Sequence, residues 1–100
     1  MRNGNIRTYL IGYDIADPRR LKKVHRLLSE EAIPIQYSVF LTRRAGRSMG
    51  YLSVEIAALI NWREDDVRIY QVPRDPEFRT LGRAPLPEGI AILDGHDIVV

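Results

Sequence analysis

Residues 8–15 (TYLIGYDI), the tripeptide Ala16-Asp17-Pro18 and residues 19–28 (RRLKKVHRLL) together decide how this chain folds. The first eight are rich in β-branched and aromatic side chains and run into the turn-forming pair Asp17-Pro18, so they read as a strand. Asp17 is a helix N-cap by residue type, and Pro18 suits the first helical position, where a missing N–H costs little. Leu21, Val24 and Leu28, with Leu27 beside them, recur at helical spacing. That spacing predicts a helix running to about Ala32, with one core-facing stripe.

Downstream, Pro34 favours extended backbone, and residues 35–41 (IQYSVFL) read as a second strand. Residues 42–48 (TRRAGRS) form a basic loop through which a third, edge strand would have to pass. Leu52, Ile56, Leu59 and Ile60 predict a second helix over residues 49–60. Residues 62–66 make a polar turn, and residues 66–73 (DVRIYQVP) a further strand closed by Pro73. Three of the six prolines fall in residues 74–89, an extended crossing segment by composition. Short strand pieces at 90–93 and 98–100 flank Asp94-Gly95, a hairpin-type turn signal. The order predicts an α+β fold, a ferredoxin-like βαββαβ sandwich with an additional C-terminal strand. The 100 residues read as one domain, with its core at about residues 7–73 and a C-terminal extension over 74–100.

Composition narrows the chemistry. Apolar residues make up 45% of the chain, ordinary for a folded protein. With no cysteine, disulfides, thiolate zinc sites and thiol nucleophiles are excluded together. No apolar run is long enough to span a bilayer, and the N-terminus lacks the apolar stretch of a secretory signal, so a cytoplasmic protein is expected. The net charge is only +2, but its distribution says more: thirteen of the fifteen basic residues are arginine, and Arg19, Arg20, Lys22, Lys23 and Arg26 fall within eight positions. Arginine suits bidentate phosphate recognition better than lysine does. Arg19, Arg20, Lys22, Lys23 and Arg26, with Arg43 and Arg44, are therefore candidates for binding nucleic acid.

Alternation along the strands assigns the two sheet faces. Tyr9, Ile11, Tyr13 and Ile15 form the apolar set of the first strand; Ile35, Tyr37, Val39 and Leu41 that of the second; Val67 and Ile69 that of the last. These sets are expected to face the helices. The other face then carries Leu10, Asp14, Gln36, Ser38, Phe40, Arg68 and Tyr70, a mixture of polar and apolar groups that suits an interface. A sheet protein this small gains core by pairing, and a homodimer through the open face is expected.

Asp14 is the candidate for chemistry. At the carboxyl end of the first strand its carboxylate either begins the turn or holds a hard cation such as Mg²⁺, which keeps most of its waters and needs only one or two protein carboxylates. A two-fold axis nearby would set Asp14 beside the partner's Asp14, and a metal so held would activate water on a phosphodiester. His25 and His96 lack a ligand at metal spacing and read as surface or packing residues.

The series Tyr13-Asp14-Ile15, Asp17 with an Arg/Lys-rich helix, Gln36-Tyr37-Ser38-Val39-Phe40 and Val67-Arg68-Ile69-Tyr70 resembles the Cas-two family, the small CRISPR-associated proteins of spacer acquisition. The likeness covers about residues 7–73. It implies a ferredoxin-like homodimer whose C-terminal strand adds to the partner protomer's sheet, and Mg²⁺-dependent endonuclease activity on single-stranded RNA or double-stranded DNA. It makes Asp14 the catalytic, metal-binding acid across the dimer axis, with Tyr13, Ser38, Phe40 and Arg19 or Arg20 near that site. It also implies a complex with the CRISPR integrase subunit (Cas-one), in which the dimer spans incoming DNA in antiviral adaptation. The alternative within the same family is a catalytically silent DNA-bridging scaffold. The sequence departs from the family pattern at Leu41, where relatives often carry glutamate, in the basic stretch 42–50, and in a long proline-rich tail.

Overall fold

A computed structural model describes residues 5–73, 81, 91–93 and 97–99. The first strand, β1 (Ile6–Asp14), is followed by helix α1 (Pro18–Glu31), β2 (Ile33–Gln36), β3 (Val39–Ala45), helix α2 (Gly46–Leu59) and β4 (Asp66–Gln71). The four strands form one antiparallel sheet in the order β2-β3-β1-β4, the ferredoxin-like arrangement, with β1 and β3 inside and β2 and β4 at the edges.

Local chemistry sets the helix limits. Asp17 caps α1 through its carboxylate, which accepts from the amides of Arg19 and Arg20, both at 3.0 Å, and Pro18 opens the first turn. Each capping bond removes an orphan donor that water would otherwise have to satisfy. The helix closes where the Ala32 amide donates to Leu28 O and the chain turns extended ahead of Pro34. Val24 and Leu28 are buried, with Leu21 and Leu27 packed at the margin of the core. Helix α2 contributes Met49, Leu52 and Ile56. Together with Tyr9, Ile11, Tyr13, Ile15 and Phe40 they fill the layer between sheet and helices. Each fully buried Leu, Ile or Phe side chain there contributes roughly 1.5–3 kcal/mol.

The β1 and β4 face assignments hold: Tyr9, Ile11, Tyr13 and Ile15 are buried toward the helices, and Val67 and Ile69 pair with Tyr13 and Ile11 on that side. The middle of the chain differs from the sequence reading. Residues 35–41 are not one strand, because a two-residue turn at Tyr37-Ser38 divides them between β2 and β3. The basic stretch is not a loop either: Thr42, Arg43 and Arg44 lie within β3, an interior strand rather than an edge, and Gly46, Arg47 and Ser48 begin α2. Edge strand β2 is the one that holds a proline, Pro34, as an edge can.

The turn also resets the alternation. Phe40 pairs with Ile11 and is 0% exposed in the helix-facing core, whereas Tyr37, assigned to the core by simple alternation, is 79% exposed. Val39 and Leu41 pair with Gly12 and Leu10 and so belong to the face away from the helices. The open face therefore carries Leu10, Gly12 and Asp14 of β1, Val39, Leu41 and Arg43 of β3, and Asp66, Arg68 and Tyr70 of β4.

In the tail, β5 (Ala91–Leu93) and β6 (Asp97–Val99) pair antiparallel as a separate two-stranded sheet. The expected Asp94-Gly95 turn and most of the proline-rich crossing segment lie outside the described residues. No helix among those described is long and apolar enough to cross a membrane.

Candidate active site

The last residue of β1 and the first of β4 are both aspartates. Asp14 and Asp66 pair directly in the antiparallel register and are both exposed on the open face. Directly opposite side chains on one sheet face have Cβ atoms about 4.5–5.5 Å apart. The two carboxylates therefore stand as neighbours at one end of the sheet, and Asp66 Oδ2 also accepts from Arg68 Nε at 2.9 Å.

Behind Asp14 the backbone is fixed by its neighbour. The Tyr13 amide donates to Ser38 O at 3.1 Å, its ring stacks on Phe40 with centroids 6.2 Å apart, and its hydroxyl is hydrogen-bonded to His25 Nδ1 at 3.0 Å. His25 meets Phe40 edge-on at 5.6 Å. Burial pushes the Tyr13 phenol above its ordinary pKa, and nearby Tyr37 adds to the shift. Tyr13, Ser38 and Phe40 thus converge on the strand end that presents Asp14. His25, read from sequence as a surface or packing residue, joins them from α1.

A second cluster ties the flanking turns together. The Asp65 side chain is 0% exposed. Its Oδ1 accepts from the Ala16 amide (2.9 Å) and Arg20 Nη2 (3.1 Å), and its Oδ2 from Arg20 Nε (2.7 Å) and the Asn61 amide (2.7 Å). Arg20 Nη2 also reaches Glu64 Oε1 at 3.0 Å. The Arg20 hydrogen bonds foremost hold the Asp65 carboxyl well below the usual carboxylate range; burial opposes this, and the Asn61 and Ala16 amides add to it. The same contacts raise the Arg20 pKa.

The candidate basic residues divide among four settings. Arg19, Lys22, Lys23 and Arg26 are exposed at i, i+3, i+4 and i+7, so they form one face of α1 opposite the buried Val24–Leu28 stripe. That face points away from the sheet, and so away from Asp14. Arg43 is exposed on the open sheet face. Arg20 is engaged with Asp65 and Glu64. Arg44 bridges the helices: Nη2 donates to Glu31 O (2.6 Å) and Oε1 (3.2 Å), Nη1 to Ser48 Oγ and Nε to Thr42 Oγ1. A guanidinium there satisfies the last carbonyl of α1, that of Glu31, and suits the negative end of the helix dipole.

Among the described residues no group of three or more His, Cys, Asp or Glu side chains could hold a metal within one chain. The oxygen-only pair Asp14 and Asp66 fits a hard cation that keeps most of its waters and takes one or two carboxylates. Sequence reading found Asp14 but not Asp66, nor the roles of Glu64 and Asp65. The signal present was three successive acids, Glu64-Asp65-Asp66, heading a strand antiparallel to β1.

Comparison with known proteins shows the family of the chain. The family model for CRISPR-associated protein Cas2 matches residues 7–80. A curated relative from Nitrosomonas europaea, named CRISPR-associated endoribonuclease Cas2 1, is 43% identical over 82 residues, covering 82% of this chain and 78% of that protein. A second, CRISPR-associated endoribonuclease Cas2 2 of Thermodesulfovibrio yellowstonii, is 38% identical over 84% of this chain and 93% of its own. Among solved structures, a hypothetical protein from Thermus thermophilus superposes with a TM-score of 0.75 at 33% identity, covering 84% of this chain and all of that one. The family model runs from Arg7 in β1 past the end of β4, so it covers the four-stranded domain: the chain belongs to the CRISPR-associated Cas2 family.

Proposed function

We propose that this protein is a divalent-metal-dependent endonuclease of the CRISPR adaptation machinery, with Asp14 as its catalytic, metal-holding acid. The observation that carries the reading is the exposed Asp14 at the end of β1, beside Asp66, in a chain whose relatives are named endoribonucleases. Asp14, together with the partner's Asp14, would hold the Mg²⁺, with Asp66 standing beside it, and Tyr13, braced by Phe40, Ser38 O and His25, fixes the backbone that presents Asp14. When bound, the ion lowers the pKa of a coordinated water and offsets charge developing on the phosphodiester. Exposed Arg19, Lys22, Lys23, Arg26 and Arg43 attract phosphates without reading sequence, a contribution that weakens with salt.

The working unit is a homodimer. The open face mixes Leu10 and the half-exposed Tyr70 with Asp14, Asp66 and Arg68, and a small sheet protein gains core by covering such a face. An isologous contact there would bring the partner's Asp14 toward the same axis. The dimer's partners are DNA or RNA and the CRISPR integrase subunit (Cas-one), and its compartment is the cytoplasm.

One observation favours a second reading. The four-residue basic face of α1 lies on the layer away from Asp14, as suits a dimer that bridges DNA for the integrase without cutting it. Cleavage of labelled single-stranded RNA and double-stranded DNA with Mg²⁺ by wild type and Asp14→Ala separates the two. Metal-dependent cutting lost in Asp14→Ala is expected. Cutting that survives the substitution removes Asp14 from the mechanism. No cutting by either protein, with duplex still bound, makes the scaffold the function.

A further inference from the structure

Helix α2 starts without a cap. Its N-cap residue, Ala45, has no side chain to accept from the first turn, in contrast to Asp17 at the head of α1. The amides of Gly46, Arg47 and Ser48 therefore lack the acceptor that Asp17 supplies to α1. Nor does the first turn hold an acid: it carries the exposed Arg47, and a cation at the positive end of a helix is unfavourable unless an anion joins it. Arg7 adds to the charge. It stands directly opposite Arg44 in the β1–β3 register, an arrangement of like charges that weakens a ladder. Arg44 is matched by Glu31, whereas Arg7 has no ion pair among the described residues.

One buried side chain points to what belongs there. Tyr9 is 7% exposed, yet its hydroxyl is bonded to no other described residue. Because no enclosed side-chain oxygen among these residues lacks a partner, the Tyr9 oxygen opens to the surface. It opens beside Gly46: a Cβ there would lie 3.7 Å from the Tyr9 hydroxyl and 3.6 Å from Arg7 Nη1. Cα–Cβ bonds tilt toward a helix N-terminus, so this point lies at the mouth of α2, where glycine leaves room. A phenol donor, a guanidinium and uncapped helix amides thus converge on one small space, the chemistry that recognises a phosphate. We propose that this space is a phosphate site, which takes one phosphate of a bound nucleic-acid strand. The inference rests on the nucleic-acid reading above for the source of the phosphate; it needs neither the metal nor cleavage. It adds Arg7 and Tyr9 to the residues that meet nucleic acid, at the opposite end of β1 from Asp14. The strand between them spans about 23 Å, so a phosphate held here fixes where a nucleic-acid strand lies relative to that acid.

The test titrates inorganic phosphate, against chloride at equal ionic strength, into the full-length isotope-labelled chain and reads the amides of Gly46, Arg47 and Ser48 by NMR. A blunt DNA duplex is titrated in the same way. Tyr9→Phe removes only the hydroxyl, Arg7→Gln removes the guanidinium charge, and Gly46→Ala places a methyl in the space at ordinary contact distances that the fold tolerates. Saturable shifts at the three amides are expected with both ligands. Each variant should bind phosphate about tenfold more weakly, the effect of one hydrogen bond to a charged group. Arg7→Gln should also reduce the salt slope of duplex binding by about 1. Phosphate that moves these amides no more than chloride does, or that binds wild type and all three variants alike, overturns the site. A duplex that binds elsewhere and leaves the three amides unmoved overturns it too. A duplex that does not bind at all overturns the nucleic-acid reading and the proposal with it, an outcome separate from failure at Gly46, Arg47 and Ser48 alone.

Discussion

Phe40 and Tyr37 exchange places between a simple alternation of side chains and the folded structure, and their replacement by alanine measures which is right. Phe40 is fully enclosed, opposite Ile11, stacked on Tyr13 and met edge-on by His25. Phe40→Ala removes a ring from a filled core, which costs about 3–5 kcal/mol through lost transfer energy and the cavity left behind. Domains of this size hold about 5–15 kcal/mol in all, so the variant should fold but with little reserve. Tyr37 sits in the β2–β3 turn, 79% exposed, and its truncation should stay within about 0.5 kcal/mol. Urea unfolding followed by circular dichroism, at one protein concentration because dimer formation would make stability concentration-dependent, reads both. With m near 2 kcal/mol per molar, the Phe40→Ala midpoint should fall by about 2 M while that of Tyr37→Ala hardly moves. A loss below about 1 kcal/mol for Phe40→Ala, or a larger loss for Tyr37→Ala, would refute the register of β3 on β1 and the brace behind Asp14 with it.

Further outcomes follow from the caps and charges. Asp17→Ala should destabilise the protein by about 1 kcal/mol in the same urea assay, since two amides of the first turn of α1 lose their acceptor. Asp65 has its pKa depressed in the fold, so it binds fewer protons folded than unfolded; its contribution is complete above the unfolded carboxylate range and is lost as pH falls below about 4. Asp65→Asn should therefore show a flatter decline of stability between about pH 4 and pH 2 than wild type, and parallel pH curves would count against the ion pair. Replacing Arg19, Lys22, Lys23 and Arg26 together by alanine should weaken binding to all duplex sequences alike and reduce the salt slope by up to about 4; an unchanged slope would take the α1 face out of the footprint.

Much of this architecture was legible in the residue order because the signals were local. Asp17-Pro18 starts α1 through chemistry confined to one turn, and Leu21, Val24 and Leu28 mark its buried side by helical period alone. Tyr9, Ile11, Tyr13 and Ile15 alternate without interruption, so β1 faces the way its sequence says. Asp14 was visible as a carboxylate at a strand end, and the arginine bias as an affinity for phosphate.

What only the tertiary structure decided concerns phase and pairing. The turn at Tyr37-Ser38 breaks the alternation, and β3 takes its register from β1 rather than from the residues before it; a slip of one residue reverses every side chain, which is why Phe40 is inside and Tyr37 outside. Arg43 and Arg44 look like loop residues until β3 is seated between β1 and β2, with Arg44 satisfied by the end of α1. Asp66 becomes Asp14's neighbour, and Asp65 the tie between two turns, only when β4 pairs antiparallel to β1 across half the length of the chain. Period and capping act over a few residues and are written in the sequence; register, and the meeting of charges distant in sequence, exist only once the sheet has formed.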